Sequence, residues 1–276
     1  MASSGSGYDL SASTFSPDGR IFQVEYAAKA VENAGTVVAI KAKDGVVMGV
    51  GKPVLHKMCV VGVCSYKRIH SVDEHAGIAS TGFLPDARVL VTRAIDECAD
   101  YEETYGSKIP PHLLADRMGY YVHYFTLHGA LRPFGAACVM AGYDESEKKP
   151  TLHMLEPNGV AYAYYGVACG KGKQAAKTEL EKLNLNKAPV SLTVDDAARH
   201  ITRILTLLHN ENKETEGKPM DLELSWICEK SNWKHVGVPK DVIASAKEWA
   251  DQQLEEEEDD DEEEEGGAGG AAMEEG

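Results

Sequence analysis

Apolar residues along this chain switch repeatedly between the period of a helix and the period of a strand. Val24, Ala27, Ala28 and Val31 fall at i, i+3, i+4 and i+7, which predicts a short helix over 23–34 with Gln23, Glu25, Lys29 and Glu32 on its other faces. Just before it, Ser16-Pro17-Asp18-Gly19 has turn chemistry, because proline fixes φ and glycine accepts positive φ. Residues 36–52 read as two β-branched runs joined at Asp44-Gly45, a strong hairpin signal. Another strand is predicted near His75–Phe83, then a helix over 86–105 with Ala87, Leu90, Val91, Ala94 and Cys98 on one face. Pro110 and Pro111 open a helix to Gly129, proline being tolerated in a first turn. Residues 134–143 and 151–169 read as strands, the latter turning at Pro157-Asn158-Gly159. Helices follow over 171–184 and 191–210, the second with the stripe Val194, Ala197, Ala198, Ile201, Leu205 and Leu208. Leu222–Cys228 is a last strand and Pro239–Leu254 a last helix.

Strands in hairpins and helices in adjacent pairs do not make the strict alternation of a parallel doubly wound sheet. They predict an α+β fold, a layered sandwich of antiparallel sheets with helices on its outer faces. No linker divides the middle of the chain. The expected segments are an N-terminal extension and turn (1–22), one folded domain (23–254) and a tail (255–276). The tail runs EEEEDDDEEEE into GGAGGAA; it cannot bury apolar surface and is expected to be disordered.

The formal net charge of −16 changes meaning once the tail is set aside. Thirteen acids follow Leu254, leaving 31 acids against 28 bases in residues 1–254. The folded part is nearly neutral, and no clustered basic face suggests nucleic-acid binding. With 276 residues, 43% of them hydrophobic, the chain can bury a sizeable core. Its six cysteines lie in apolar stretches with no CxxC pair, which suits reduced, buried thiols and excludes an obvious zinc site. The opening MASSGSGYDLSAS lacks both regions of a signal peptide, and no apolar run approaches the ~20 residues of a membrane span. The expected location is therefore cytoplasmic and nuclear, with no membrane partner.

The most specific string is N-terminal: Tyr8-Asp9, then Phe15-Ser-Pro-Asp-Gly-Arg20, then Gln23-Val-Glu-Tyr-Ala27. Read alone it is a loop and an amphipathic helix. As a whole it resembles the signature of proteasome α-type subunits. The resemblance extends through Gly82-Phe-Leu-Pro-Asp-Ala-Arg88, Arg132-Pro-Phe-Gly135 and Gly170-Lys-Gly-Lys-Gln-Ala-Ala-Lys177. Leu10, where most α-type members carry arginine, points together with the acidic tail to one member type. The resemblance implies a four-layer αββα sandwich of the N-terminal nucleophile hydrolase kind, and a seven-membered ring of homologous α subunits stacked on β rings that hold the proteolytic sites. It implies a gate cluster at Tyr8, Asp9, Pro17 and Tyr26. It also implies a pocket for the C-terminal tails of activators, with Arg68 where the family usually has lysine and Gly82, Phe83 and Leu84 on its wall. The implied partners are neighbouring α subunits, β-ring subunits and regulatory-particle or activator tails. No cofactor is implied.

Gly35-Thr36 is the candidate for chemistry. In active β subunits a glycine precedes the nucleophilic threonine, whose freed amine serves as base. Here a helical segment precedes Thr36, so its nitrogen is expected to remain an amide, and Lys52 stands where β subunits carry an acid. The expected role is non-catalytic; the alternative is an active threonine-type hydrolase acting through Thr36. Gly170-Lys-Gly172-Lys-Gln-Ala175 formally fits a dinucleotide fingerprint, but it follows a hairpin strand and reads as a tight strand-to-helix turn. His123 and His128 are five apart, unlike helical metal ligands at i, i+4. Asp195-Asp196 and Asp144-Glu145 read as a helix start and a turn.

Overall fold

The computed structural model describes residues 7–54, 58, 66–187, 191–213 and 217–269, the stretch 257–269 through its backbone alone. Helix α1 (Phe22–Glu32) is followed by the hairpin β1 (Val37–Ala42) and β2 (Gly45–Pro53) and by the hairpin β3 (Ile69–Asp73) and β4 (Ala76–Gly82). Helices α2 (Leu84–Tyr105) and α3 (Pro111–Leu127) lead to β5 (Ala136–Asp144), β6 (Lys149–Leu155), β7 (Ala161–Ala163) and β8 (Gly166–Cys169). Then come α4 (Lys173–Lys182), α5 (Val194–Glu211), β9 (Met220–Cys228), β10 (Val236–Gly237) and α6 (Lys240–Gly269). One sheet has the order β10-β9-β2-β1-β8 and the other β3-β4-β5-β6-β7, and the pairings are antiparallel.

Three apolar layers hold this together. Between the sheets lie Val37, Ala39, Met48, Val50, Val139 and Ile227. The opposite face of the first sheet puts Val38, Ile40 and Trp226 against α4 and α5 through Leu180, Ile201 and Leu205. The second sheet packs Ile78, Cys138 and Leu155 on Leu90 of α2 and Met118 of α3. Successive residues of β1 therefore serve different layers, and both faces are buried, which is why β1 and β2 read as continuous apolar runs. The result is the four-layer αββα sandwich.

Several elements depart from the pattern reading. The first hairpin turns at Lys43-Asp44, and Gly45 already pairs with Ala42. Gly45 is needed there because a Cβ would stand 2.4 Å from the Ile227 carbonyl. Asp44 instead accepts the Val194 amide proton at 2.9 Å, at the start of α5. Residues 151–169 form three strands. β7 closes the second sheet, and within Tyr164-Tyr165 the chain crosses to the first, where Lys41 N–H donates to Tyr165 O at 2.8 Å. β3 and the two-residue β10 carried no readable pattern. α6 runs on along the backbone past Leu254 to Gly269, and its packed part buries Ala246, Ala250 and Leu254. Residues 270–276 lie outside the described residues.

The acid pairs are structural. Thr193 and Asp196 form a reciprocal capping box on α5, and Asp144 accepts the Ser146 and Glu147 amides in the β5–β6 turn. Cys98, Cys138, Cys169 and Cys228 are free and buried, and burial pushes the first three thiols up to about 12. Cys59 and Cys64 lie outside the described residues.

Candidate functional site

The described part of the N-terminal segment, from residue 7, docks on the folded body. Ala12 is 1% exposed, and Ser11 and Ser13 pack on Gly129, where a Cβ would approach Ser11 Oγ at 2.7 Å. The turn closes around Ser16: Gly19 N–H donates to its carbonyl at 2.9 Å and Arg20 N–H to its hydroxyl at 3.0 Å, with Gly19 at φ +75°. Arg20 then pairs with Glu25, which raises the guanidinium and lowers the carboxyl, and stacks over Phe22. Two of the four candidate gate residues, Asp9 and Tyr26, meet across this arrangement. Tyr26 Oη reaches Asp9 Oδ2 at 3.5 Å, Gln23 Nε2 donates to Asp9 O at 2.5 Å, and Tyr8 lies next in the chain, 38% exposed. Pro17 sits exposed at the head of the turn, outside this set of contacts.

Two motifs separated by some fifty residues lock together behind this helix. Both terminal nitrogens of Arg132 donate to the Asp86 carboxylate at 2.6 and 2.7 Å, and Gly135 N–H adds a third bond at 2.9 Å. The Arg132 bonds hold the Asp86 carboxyl below its ordinary range against the opposing effect of burial. Gly82 lies at φ +101° and has no room for a side chain, since a Cβ would stand 2.2 Å from Gly135 O. Arg68 Nη1 donates to Gly82 O at 2.8 Å, and burial pulls its guanidinium down. Beside this junction opens a cleft of about 460 Å3 lined by Gly82, Phe83, Ala34, Tyr26, Ala30 and Lys29. Gly82 and Phe83 line this cleft, and Arg68 and Leu84 are not among its lining residues. The cation it offers is Lys29 of α1, which the residue-by-residue resemblance did not single out. Its position at i+3 from Tyr26 is the signal that was available.

Thr36 sits on a strap bonded on both sides. Its Oγ1 accepts the Gly172 amide proton at 3.0 Å, Ala34 O takes Lys171 N–H at 2.8 Å, and Gly35 O takes Thr81 Oγ1–H at 2.6 Å. Gly170, at φ +108°, lets the α4 lead-in come close: a Cβ there would lie 2.5 Å from Gly35 O. The glycine pair of the formal dinucleotide fingerprint is therefore spent on the strap, and β8 before it runs antiparallel to β1. Lys52 is buried between Asp221 Oδ2 at 2.9 Å and Glu223 Oε2 at 3.0 Å. Burial lowers its pKa, but hydrogen bonds to the two acids outweigh that and leave it above the ordinary lysine value. A second cleft, of about 620 Å3, opens on the far side of the strap between α4 and the end of α5.

The proteasome subunit family profile matches residues 31–224, and the N-terminal signature of A-type proteasome subunits matches residues 8–30. The chain belongs to the proteasome subunit family. Its relatives include the alpha type-3 proteasome subunit of Arabidopsis thaliana, 50% identical over 92% of this chain and 98% of that protein. The alpha type-3 proteasome subunit of Dictyostelium discoideum is 48% identical over the same shares, and the probable alpha type-7 proteasome subunit of Saccharomyces cerevisiae is 42% identical over 92% of this chain and 86% of that protein. These are relatives of the member type to which Leu10 and the acidic tail pointed.

The motif strings thus meet in two places: the Gly170–Lys177 string bonds the Gly35-Thr36 strap, and the Arg132–Gly135 string locks onto the Gly82–Arg88 string through Asp86. The histidines play no part there. His123 Nδ1 lies 3.0 Å from Thr126 Oγ1, and His128 Nδ1 2.9 Å from Tyr124 O. Among the described residues no group of three or more His, Cys, Asp or Glu could hold a metal, and no helix is long and apolar enough to cross a membrane.

Proposed function

We propose that this chain is a non-catalytic α-ring subunit of the 20S proteasome core, contributing ring contacts, a share of the axial gate and an activator seat. The observation that carries this reading is the α-type signature at residues 8–30, which supplies both the segment held by Tyr26 and Gln23 and the helix that leads into Thr36. An N-terminal nucleophile needs a free amine at its own residue. Thr36 follows directly on α1 and its bonded strap, its Oγ1 accepts the Gly172 amide proton, and a lysine stands at the position of the expected acid. Its partners in this reading are neighbouring α subunits, β-ring subunits and carboxylate-ended activator tails, the last seated at the Gly82–Phe83 cleft with Lys29 as counter-ion. The setting is cytoplasm and nucleus.

The Tyr26–Asp9 contact is long and exposed, so a small differential free energy suffices to move the segment between two positions. Deleting residues 1–12 from the assembled particle tests the gate role: peptide hydrolysis should rise with the β sites unaltered, and an unchanged basal rate refutes it. Intact mass of the chain in the assembled particle tests the non-catalytic role, since a chain beginning at Thr36 would restore the hydrolase alternative.

A further inference from the structure

The 620 Å3 cleft between α4 and the end of α5 is bordered by the Ala34–Thr36 strap and by Lys171 and Gly172, and its interior has no part in the proposed gate or activator seat. Its volume lies in the range of pockets that take small ligands. Leu205 and Leu208 of α5 form one apolar wall, and Met220 and Pro53, paired across β9 and β2, form the other. Glycines keep the walls close: a Cβ on Gly51 would stand 3.0 Å from Met220 Sδ and one on Gly172 2.8 Å from Leu208. Two carboxamides line the same space, Asn33 at the end of α1 and Gln174 in the first turn of α4, while Asn212 beyond α5 also lines it with a partner of its own. Lys171 and Glu211 add one charge of each sign, so the mouth favours neither an anion nor a cation.

Carboxamides donate and accept at once, as peptide groups do, and an apolar slot beside them takes a side chain. We propose that this cleft binds a short uncharged peptide segment, seating one branched apolar side chain among Leu205, Leu208 and Met220. The site has a route to the gate segment. Asn33 and Ala34 line both this cleft and the one beside Phe83, and Asn33 caps the helix that carries Tyr26. An occupant that shifts this strap biases the position of α1.

The test uses the full chain with 13C-methyl-labelled methionine and N-acetyl-leucine N-methylamide as the probe. The Met220 methyl resonance should move saturably, with a Kd of about 1 mM for so small a ligand. N-acetyl-glycine N-methylamide should bind at least about fivefold more weakly, because the slot stays empty. Ala175→Leu, on an exposed position of α4 that lines the cleft, should abolish the Met220 shift while leaving the buried Met48 and Met140 resonances in place. The proposal fails if Met220 does not move saturably, if the glycine probe moves it equally, or if Ala175→Leu leaves the response intact. It fails equally if N-acetyl-leucine with a free carboxylate binds more tightly than the amide, which would mark an anion site. Binding is read on the chain by itself, so failure here leaves the gate reading untouched, and failure of the gate reading leaves this site standing.

Discussion

Replacing Lys52 with methionine is expected to remove the cation that lets two acids share the inner face of β9. The register sets Lys52 directly opposite Asp221, and Glu223 follows two residues along on the same face. The Lys52 side chain is 8% exposed and each carboxylate 18%, so hydration compensates little for the lost charge. Glu223 keeps two other donors, the Arg68 amide at 3.0 Å and the Ile69 amide at 3.4 Å. Removing one partner of a buried pair typically costs 3–5 kcal/mol, and the residual amide bonds place this case at about 3 kcal/mol. For a chain of this size that lowers the melting temperature by roughly 6–9 °C. The Lys52 pKa lies above its unfolded value, so its stabilisation is fully present below about pH 10.4 and lost only as pH rises through the folded value. Between pH 5 and 8 the native protein should show no Lys52-dependent slope. Asp221→Asn added to Lys52→Met should recover about half the loss. Thermal unfolding followed by tryptophan fluorescence measures all three chains. A deficit below about 1 kcal/mol, or no recovery in the double variant, would refute the reasoning.

Gly82→Ala should cost at least about 2–3 kcal/mol, since the new methyl meets the Gly135 carbonyl and the backbone is held at positive φ; near-native urea unfolding would contradict this. Asp86→Asn should cost about 2 kcal/mol at neutral pH. Because the Asp86 carboxyl is depressed, that stabilisation is present above its unfolded value of about 3.9 and lost as pH falls through the folded one, so the two proteins should converge in stability at acid pH. Thr36→Ala should leave peptide hydrolysis by the assembled particle unchanged while costing about 1 kcal/mol through the orphaned Gly172 amide; loss of hydrolysis would reopen the hydrolase reading.

What could be read in the chain was whatever depends on local spacing. The stripe from Val194 to Leu208 became α5, and the paired β-branched runs became the β1–β2 hairpin. The motif strings named Tyr8, Asp9, Pro17 and Tyr26 as gate candidates, of which Asp9 and Tyr26 are in contact, and Gly82 and Phe83, which line the 460 Å3 cleft. Arg68 and Leu84 were named by alignment by position, which carries no information on where a long side chain turns. Arg68 turns to Gly82 O, and Lys29 reaches the cleft from a helix some forty residues earlier in the chain.

The amino-acid order by itself determined the helix stripes, the hairpins, the α+β class and the family, because each rests on periods and short motifs within a few residues. Tertiary structure alone decided the crossover at Tyr164-Tyr165, the shift of the first turn by one residue, the company of Lys52 and the use of the Gly170 turn. Those outcomes depend on contacts between segments far apart in the chain. A carbonyl of β9 excludes a side chain at Gly45, and two acids more than 160 residues away neutralise Lys52. Such distances in sequence leave no local pattern, and only the packed sandwich brings the partners within hydrogen-bonding reach.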